Sequence, residues 1–301
     1  MQENNYYDQI KDILINNEVY KKVKDYSKNK NDLESYYNVG KLLVEAQGGE
    51  ERAKYGDGLI KEYSKKLTNE LGKKYSVTSL KYMRQFYLFR KSQPVADQLT
   101  WSHYEKLFPL KNNNEIYYYT DISIKQNLSY RELGRRIKSN EYERLSTEAR
   151  NKIISKEEVD MKEIVPNPIL IKNKNNIELI SERILQRLIM EDIPSFLESL
   201  GSGFTFIKNE YKIKIGDRYN YIDLLLFNYE FNCFVIIELK ITELKKEHIG
   251  QIEVYMNYKD KNIKKINQNK TIGIILVKKE NELLMEYCSD SRIMSRSYEL
   301  V

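Results

Sequence analysis

The stretch "YIDLLLFNYEFNCFVIIELK", residues 221–240, divides into two apolar runs around the polar turn "NYEFNC". Asp223 interrupts the first run, and Glu238 and Lys240 stand in the second. Their neighbours Ile222, Leu224, Leu225, Val235, Ile236 and Ile237 read as strands covered on both faces, where an ionised group costs folding free energy. If the runs pair as an antiparallel hairpin with Phe227 opposite Phe234, Asp223 falls opposite Glu238, with Cβ atoms roughly 4.5–5.5 Å apart. Lys240 lies two residues beyond Glu238 and shares its face. One register therefore converges two carboxylates and one ammonium.

Two carboxylates in such a place repel each other unless a cation lies between them. Oxygen-only donors favour Mg²⁺ or Mn²⁺. A divalent ion with open water positions acidifies water and stabilises charge on a phosphoryl group, and a nearby lysine can orient the attacking water. The set suits hydrolysis of a phosphodiester. The competing explanation is a buried Asp–Lys or Glu–Lys ion pair with one carboxylate spare, since the spacing alone is a loose pattern.

Outward from this hairpin the chain changes character. Of its 301 residues, 41% are hydrophobic and 31% charged, which is a globular composition with length for two domains. Residues 1–150 read as helices, with apolar spacing at 33–47, 58–72 and 76–91. Gly72 is placed to end the second helix and Ser76 to cap the third, while Ser102/Glu105 and Ser129/Glu132 carry the capping-box pattern. Residues 151–176, with "VPNPIL", read as a linker. Residues 177–301 read as a helix interrupted near Pro194, strands at about 204–215, 219–227 and 233–241, a helix at 244–258, a strand at 271–279, a short helix and a last strand near 293–299. The expected fold class is thus α+β in two domains: an all-α domain with a helix-turn-helix-like pair at 1–150 and a mixed-sheet α/β domain at 177–301. Cys233 and Cys288 have no zinc-like spacing and make no disulfide framework, so a reducing cytoplasm is the expected setting. The N-terminal residues lack a signal-peptide core, and no apolar run is long enough to span a membrane.

Asp223 followed by Glu238-Leu239-Lys240 at the end of the next strand resembles the PD-(D/E)xK nuclease superfamily, with Ile222 in place of the family's proline. "QIEVY" sets Gln251 and Tyr255 one helical turn apart and resembles the QxxxY motif of the RecB-like branch, which lies beside the active site. Further blocks keep their order, from "YYNVGKLLVEAQ", "AKYGDGLIKEYSKKLTNELG", "SVTSLKYMRQFYLF", "LTWSHYEKL" and "LSYRELGRRI" to "FLESLGSGFTFIKNEYKI" and "TIGIILV". Together they resemble the bacterial YhcG-like family from about residue 33 to the end. The resemblance implies a restriction-endonuclease-like C-terminal domain. It implies Asp223, Glu238 and the backbone carbonyl of Leu239 as holders of Mg²⁺ or Mn²⁺, Lys240 as the residue that positions water, and Gln251 and Tyr255 as contacts to the scissile strand. Glu198 is the residue placed to add a carboxylate from the first helix, or else to serve as a solvated glutamate before Gly201.

The formal net charge is +6, all of it within residues 1–150, and residues 51–100 alone contribute +6. A basic excess so confined points to an acidic partner, with nucleic acid first. The helix–Gly72–helix segment at 59–89 matches a helix-turn-helix, with Ser76, Thr78, Ser79 and Lys81 nearest bases or phosphates and Lys73, Lys74, Arg84, Arg90 and Lys91 on phosphates. Arg131, Arg135 and Arg136 could serve another DNA-facing helix, or that helix could be part of a subunit interface. The alternative is a helical hairpin whose Tyr82, Phe86 and Leu88 pack a core. The expected activity is a metal-dependent endodeoxyribonuclease. Its rivals are a non-catalytic DNA-binding or complex-forming scaffold and an RNA-directed nuclease. One such site cuts one strand, so double-strand cleavage would suit a homodimer, and accessory proteins of a defence or mobile-element system are conceivable partners.

Overall fold

The computed structural model describes residues 5–23, 28–49, 57–92, 99–155 and 157–301. It falls into two compact units, residues 1–135 and 136–301.

The first unit is helical: α1 (Tyr6–Val23), α2 (Lys28–Ala46), α3 (Asp57–Leu71), α4 (Val77–Ser92), α5 (Trp101–Leu107), α6 (Asn113–Lys125) and most of α7 (Tyr130–Lys138). The expected helices at 33–47, 58–72 and 76–91 are present as α2, α3 and α4, while residues 53–56 of the quoted block lie outside the described residues. Gly72 ends α3 with φ 104°, a left-handed turn that a side chain resists. The Ser76 hydroxyl accepts from Ser79 N at 3.2 Å and caps α4. α2 and α4 approach so closely that a Cβ on Gly40 would lie 2.1 Å from the Met83 carbonyl oxygen. Ile10, Val39, Leu43, Leu67, Leu80, Met83 and Phe86 are buried here. Thus α4 packs through Leu80, Met83 and Phe86, whereas Tyr82 and Leu88 stay half-buried.

One expected cap is elsewhere. α5 is capped by Thr100 rather than Ser102: His103 Nδ1 accepts from Thr100 N at 3.2 Å, and its Nε2 meets the Leu128 carbonyl at 2.9 Å. His103 is thereby consumed structurally. The Ser129/Glu132 box forms as expected, with Ser129 N donating to Glu132 at 2.8 Å.

The second unit opens with α8 (Glu141–Arg144), α9 (Thr147–Ser155), α10 (Met161–Ile164) and β1 (Ile169–Ile171). Then come α11 (Glu182–Glu191), α12 (Ile193–Leu200), β2 (Phe204–Ile215), β3 (Arg218–Asn228), β4 (Cys233–Leu239), α13 (Lys246–Asn262), β5 (Ile272–Val277), α14 (Glu282–Glu286) and β6 (Ile293–Leu300). The sheet order is β1-β6-β5-β4-β3-β2. β2, β3 and β4 run antiparallel, and β4, β5, β6 and β1 are parallel. The mixed sheet is as expected.

The two compact units divide after residue 135, and residues 151–176 hold the end of α9, α10 and β1. The apolar pair Ile169 and Ile171 supplies an edge strand to the sheet, and Arg144 Nη1 donates to the Pro168 carbonyl at 2.7 Å. The interrupted helix breaks where Asp192 accepts from Ser195 N at 3.2 Å and Pro194 occupies the new first turn.

Two buried clusters cover the two sheet faces. One gathers Leu185, Leu188 and Phe196 from α11 and α12 with Leu224, Leu226, Val235 and Ile237. The other gathers Ile252, Tyr255 and Met256 from α13 with Ile213, Ile222, Leu225 and Ile236. Leu225 and Ile222 are three residues apart on β3 yet belong to one cluster, so the two-residue alternation slips by one beside Asp223. In the register, Glu210 of β2 falls opposite Asp223, and its φ of 46° marks the irregularity.

Candidate active site

Phe227 pairs with Phe234, the register expected from the hairpin. The β3–β4 ladder stops at Leu224–Ile237, one residue short of Asp223 and Glu238. Beyond that point the strand after β4 follows β5: Lys240 N donates to the Leu276 carbonyl at 2.8 Å and Lys278 N to the Thr242 carbonyl at 3.1 Å. β3 stays with β2, where Ile222 pairs with Tyr211 and Tyr221 with Lys212. The sheet forks at Asp223 and Glu238.

Side chains replace the ladder at the fork. Leu239 N donates to Asp223 Oδ2 at 2.8 Å, and Asp223 N to Glu238 Oε1 at a long 3.5 Å. Gln251 Nε2, from α13, donates to Glu238 Oε2 at 3.0 Å and to Tyr255 Oη at 3.2 Å. Lys240 Nζ lies 3.7 Å from Glu238 Oε2 and 3.7 Å from Glu182 Oε2. From α11, Gln186 Nε2 donates to the Asp223 carbonyl at 3.2 Å. Asp223, Glu238, Lys240, Gln251 and Tyr255 are thus brought together.

Glu198 is not among them. It precedes β2, whose first residue pairs with Asn228, about 17 Å along β3 from Asp223 at strand rise. The helical carboxylate beside Lys240 is Glu182, in the first turn of α11 after its cap Ser181. Sequence reasoning missed it because packing across the sheet, which no spacing along the chain reveals, brings α11 to the fork. Tyr255 is buried among apolar residues, and its hydroxyl meets Gln251.

Glu238 is only 1% exposed. Burial, and then the negative charge of Asp223, push its carboxyl up to about 8. Burial also raises Asp223, against the Leu239 N–H and the charge of Lys240, which pull it down. His248 lies within reach of the same field. Burial lowers its pKa, the Lys240 charge lowers it further, and its Nδ1 accepts from Lys245 N at 3.1 Å. Two acids that lose ionisation to burial and mutual repulsion are what a hard divalent cation would restore. Among the described residues no group of three His, Cys, Asp or Glu could hold a metal ion. A groove of about 480 Å³ lined by Arg183, Gln186, Arg187 and Asn209 lies between α11 and β2, beside the fork.

In the helical unit, Lys73, Lys74, Ser76, Thr78 and Lys81 are exposed and Ser79 is half-buried. Arg84 is half-buried, and its Nε donates to Gln47 Oε1 at 2.8 Å. Arg131 is exposed beside the Tyr130 ring, and Arg135 is exposed. Arg136 is not available to a phosphate: it is buried against Glu141 at 3.0 Å.

A restriction-endonuclease-like sheet forked at an acidic pair with a lysine defines a PDDEXK-type nuclease domain. The family description "YhcG PDDEXK nuclease domain" matches residues 162–299, and "DUF1016 N-terminal domain" matches residues 14–144. The two domains that make up the YhcG-like family are thus matched in order along the chain. It is 26% identical over 282 residues to "Putative nuclease YhcG" of Escherichia coli (strain K12), covering 80% of this chain and 75% of that one. Two solved structures are similar at 18% identity. The crystal structure of a repair endonuclease from Pyrococcus abyssi has a TM-score of 0.28, with 42% of this chain and 49% of that one covered. The EndoMS–dsDNA2 complex has a TM-score of 0.29, with 43% and 48% covered. Each match spans about half of the solved chain. No helix of the described residues is long and apolar enough to cross a membrane.

Proposed function

We propose that this nuclease is a divalent-metal-dependent endodeoxyribonuclease. The observation that carries the reading is the fork, where Asp223, Glu238 and Lys240 converge and side chains take over the backbone ladder. Asp223 and Glu238, with the Leu239 carbonyl, would hold Mg²⁺ or Mn²⁺. Such an ion supplies Lewis-acid stabilisation of charge on the phosphoryl group and acidifies water. Lys240, held between Glu238 and Glu182, is set to orient the attacking water and to offset negative charge at the phosphate. Gln251 holds the Glu238 carboxylate, and Tyr255 holds Gln251. These two are positioning residues rather than contacts to the scissile strand. The exposed Lys73, Lys74, Ser76, Thr78 and Lys81 and the half-buried Ser79 around the α3–α4 turn, with Arg131 and Arg135, would bind DNA backbone.

The test is cleavage of plasmid, single-stranded DNA and matched RNA in Mg²⁺ or Mn²⁺ by wild type, Asp223→Ala and Lys240→Ala. The expected outcome is metal-dependent cutting of DNA that falls by about 10²–10³-fold or more in Lys240→Ala with binding retained. Preference for RNA would replace the substrate class. Binding without cutting in every protein would return the fold to a scaffold.

A further inference from the structure

Past the fork, the β2–β3 hairpin leaves β4, and its two faces differ sharply. One carries Ile213, Ile222 and the half-buried Tyr211 into the α13 cluster. The other carries Lys212 opposite Tyr221 and Lys214 opposite Tyr219, and all four are exposed. Tyr219 is 57% and Tyr221 52% exposed, so both rings stand open to solvent. Lys212 Nζ rests 3.7 Å from the centre of the Tyr219 ring, and Arg218 stands exposed at the turn.

This face is continuous with the fork. Along β3, Tyr219 and Tyr221 lead directly to Asp223. Because the alternation slips at Asp223, the tyrosine face lies on the side of the sheet that α11 covers farther down, where the groove with Arg183 and Arg187 opens.

We infer that the open face of the β2–β3 hairpin is a binding track for an unpaired nucleic-acid strand. Tyr219 and Tyr221 stack bases there, and Lys212, Lys214 and Arg218 meet phosphates. The inference takes from the nuclease reading only that the ligand is nucleic acid. Alternate residues on a strand are about 6.6–6.8 Å apart. That is roughly twice the ~3.4 Å rise per nucleotide in a duplex strand. Successive bases can reach both rings only when unstacked from each other, which a duplex forbids and a single strand allows. Rings flanked by cations are the usual sequence-tolerant platform for such strands. The track feeds the strand into the fork, so the substrate would be single-stranded DNA or a duplex bearing a flap, gap or open end.

The test uses the full chain with Ca²⁺ in place of Mg²⁺, so that binding is read without cutting. Affinity is measured for a labelled polythymidine strand and for a blunt duplex of equal length. Three double variants are compared: Tyr219→Ala/Tyr221→Ala, Tyr219→Phe/Tyr221→Phe and Lys212→Ala/Lys214→Ala. All change exposed residues, and circular dichroism verifies folding. The alanine ring variant should bind the single strand about tenfold or more weaker. Its duplex affinity should hold, and the phenylalanine variant should bind like wild type. The lysine variant should lose affinity and flatten its salt dependence. Wild-type strand affinity in the alanine ring variant would overturn the inference, as would equal losses for strand and duplex. Plasmid cleavage by wild type in Mg²⁺ reports separately on the nuclease reading: a protein that never cuts yet needs both rings to bind a strand would sink that reading alone.

Discussion

Glu238 carries its charge at a cost that the fork makes measurable. Its folded pKa is raised from 4.5 to about 8, so the native state holds the proton more tightly than the unfolded chain. The sign follows: below about pH 4.5 the residue is neutral in both states and costs nothing, and stability falls as pH rises toward about 8. Glu238→Gln should therefore raise the Tm of metal-free protein at pH 9, by roughly 2–4 °C for each kcal/mol recovered, and leave it nearly unchanged at pH 4.5. Thermal melts in a chelator at both pH values check this. Excess Mg²⁺ should shrink the difference by stabilising wild type. Gln251 acts one step farther out, through its 3.0 Å bond to the same carboxylate. Gln251→Leu should lower metal affinity or activity about 10–100-fold, with the larger effect on the Mg²⁺ concentration needed for half-maximal cleavage. A loss confined to the saturated rate would instead assign Gln251 to the substrate.

At the scale of elements, the close crossing of α2 and α4 depends on one missing side chain. Gly40→Ala would drive a Cβ into the Met83 carbonyl, with Tyr87 behind it. The expected cost is about 1–3 kcal/mol or more, read as a lower unfolding midpoint of the helical unit. This glycine was not singled out by its sequence context, because a glycine inside a helical pattern states its own cost and not what lies opposite. The hairpin was far more legible. Asp223, Glu238 and Lys240 were readable because strand alternation and one aromatic pair, Phe227 with Phe234, set the register without outside information. Glu182 and Gln186 were not readable, because what brings α11 to the fork is packing across the sheet. β1 was hidden for a related reason: three apolar residues after two prolines look like a loop until a partner strand far along the chain receives them. The switch of faces beside Asp223 was equally invisible, since it depends on the left-handed Glu210 across the ladder.

For the whole molecule, the division after residue 135 makes separate folding of the two units a prediction. A fragment of residues 136–301 should melt cooperatively, because both clusters that cover its sheet lie within it. A fragment starting at residue 177 should lose that cooperativity and bind hydrophobic dye, since it lacks Ile169, Ile171 and the Arg144 bonds to Pro168. Calorimetry on the two fragments decides between this boundary and the later one. The same edge strand has a bearing on how the sheet assembles. β6 lies between β5 and β1, with Ile169 paired to Tyr298. The hairpins that carry the fork need only neighbours in sequence, whereas β1 waits for a strand far along the chain. Folding therefore passes through an interval in which the chemistry-bearing strands are already paired while β1 and β6 still present open margins. Long-range pairing, rather than completion of the acidic pair, closes the sheet, and chaperones or aggregation would compete for those margins until it does.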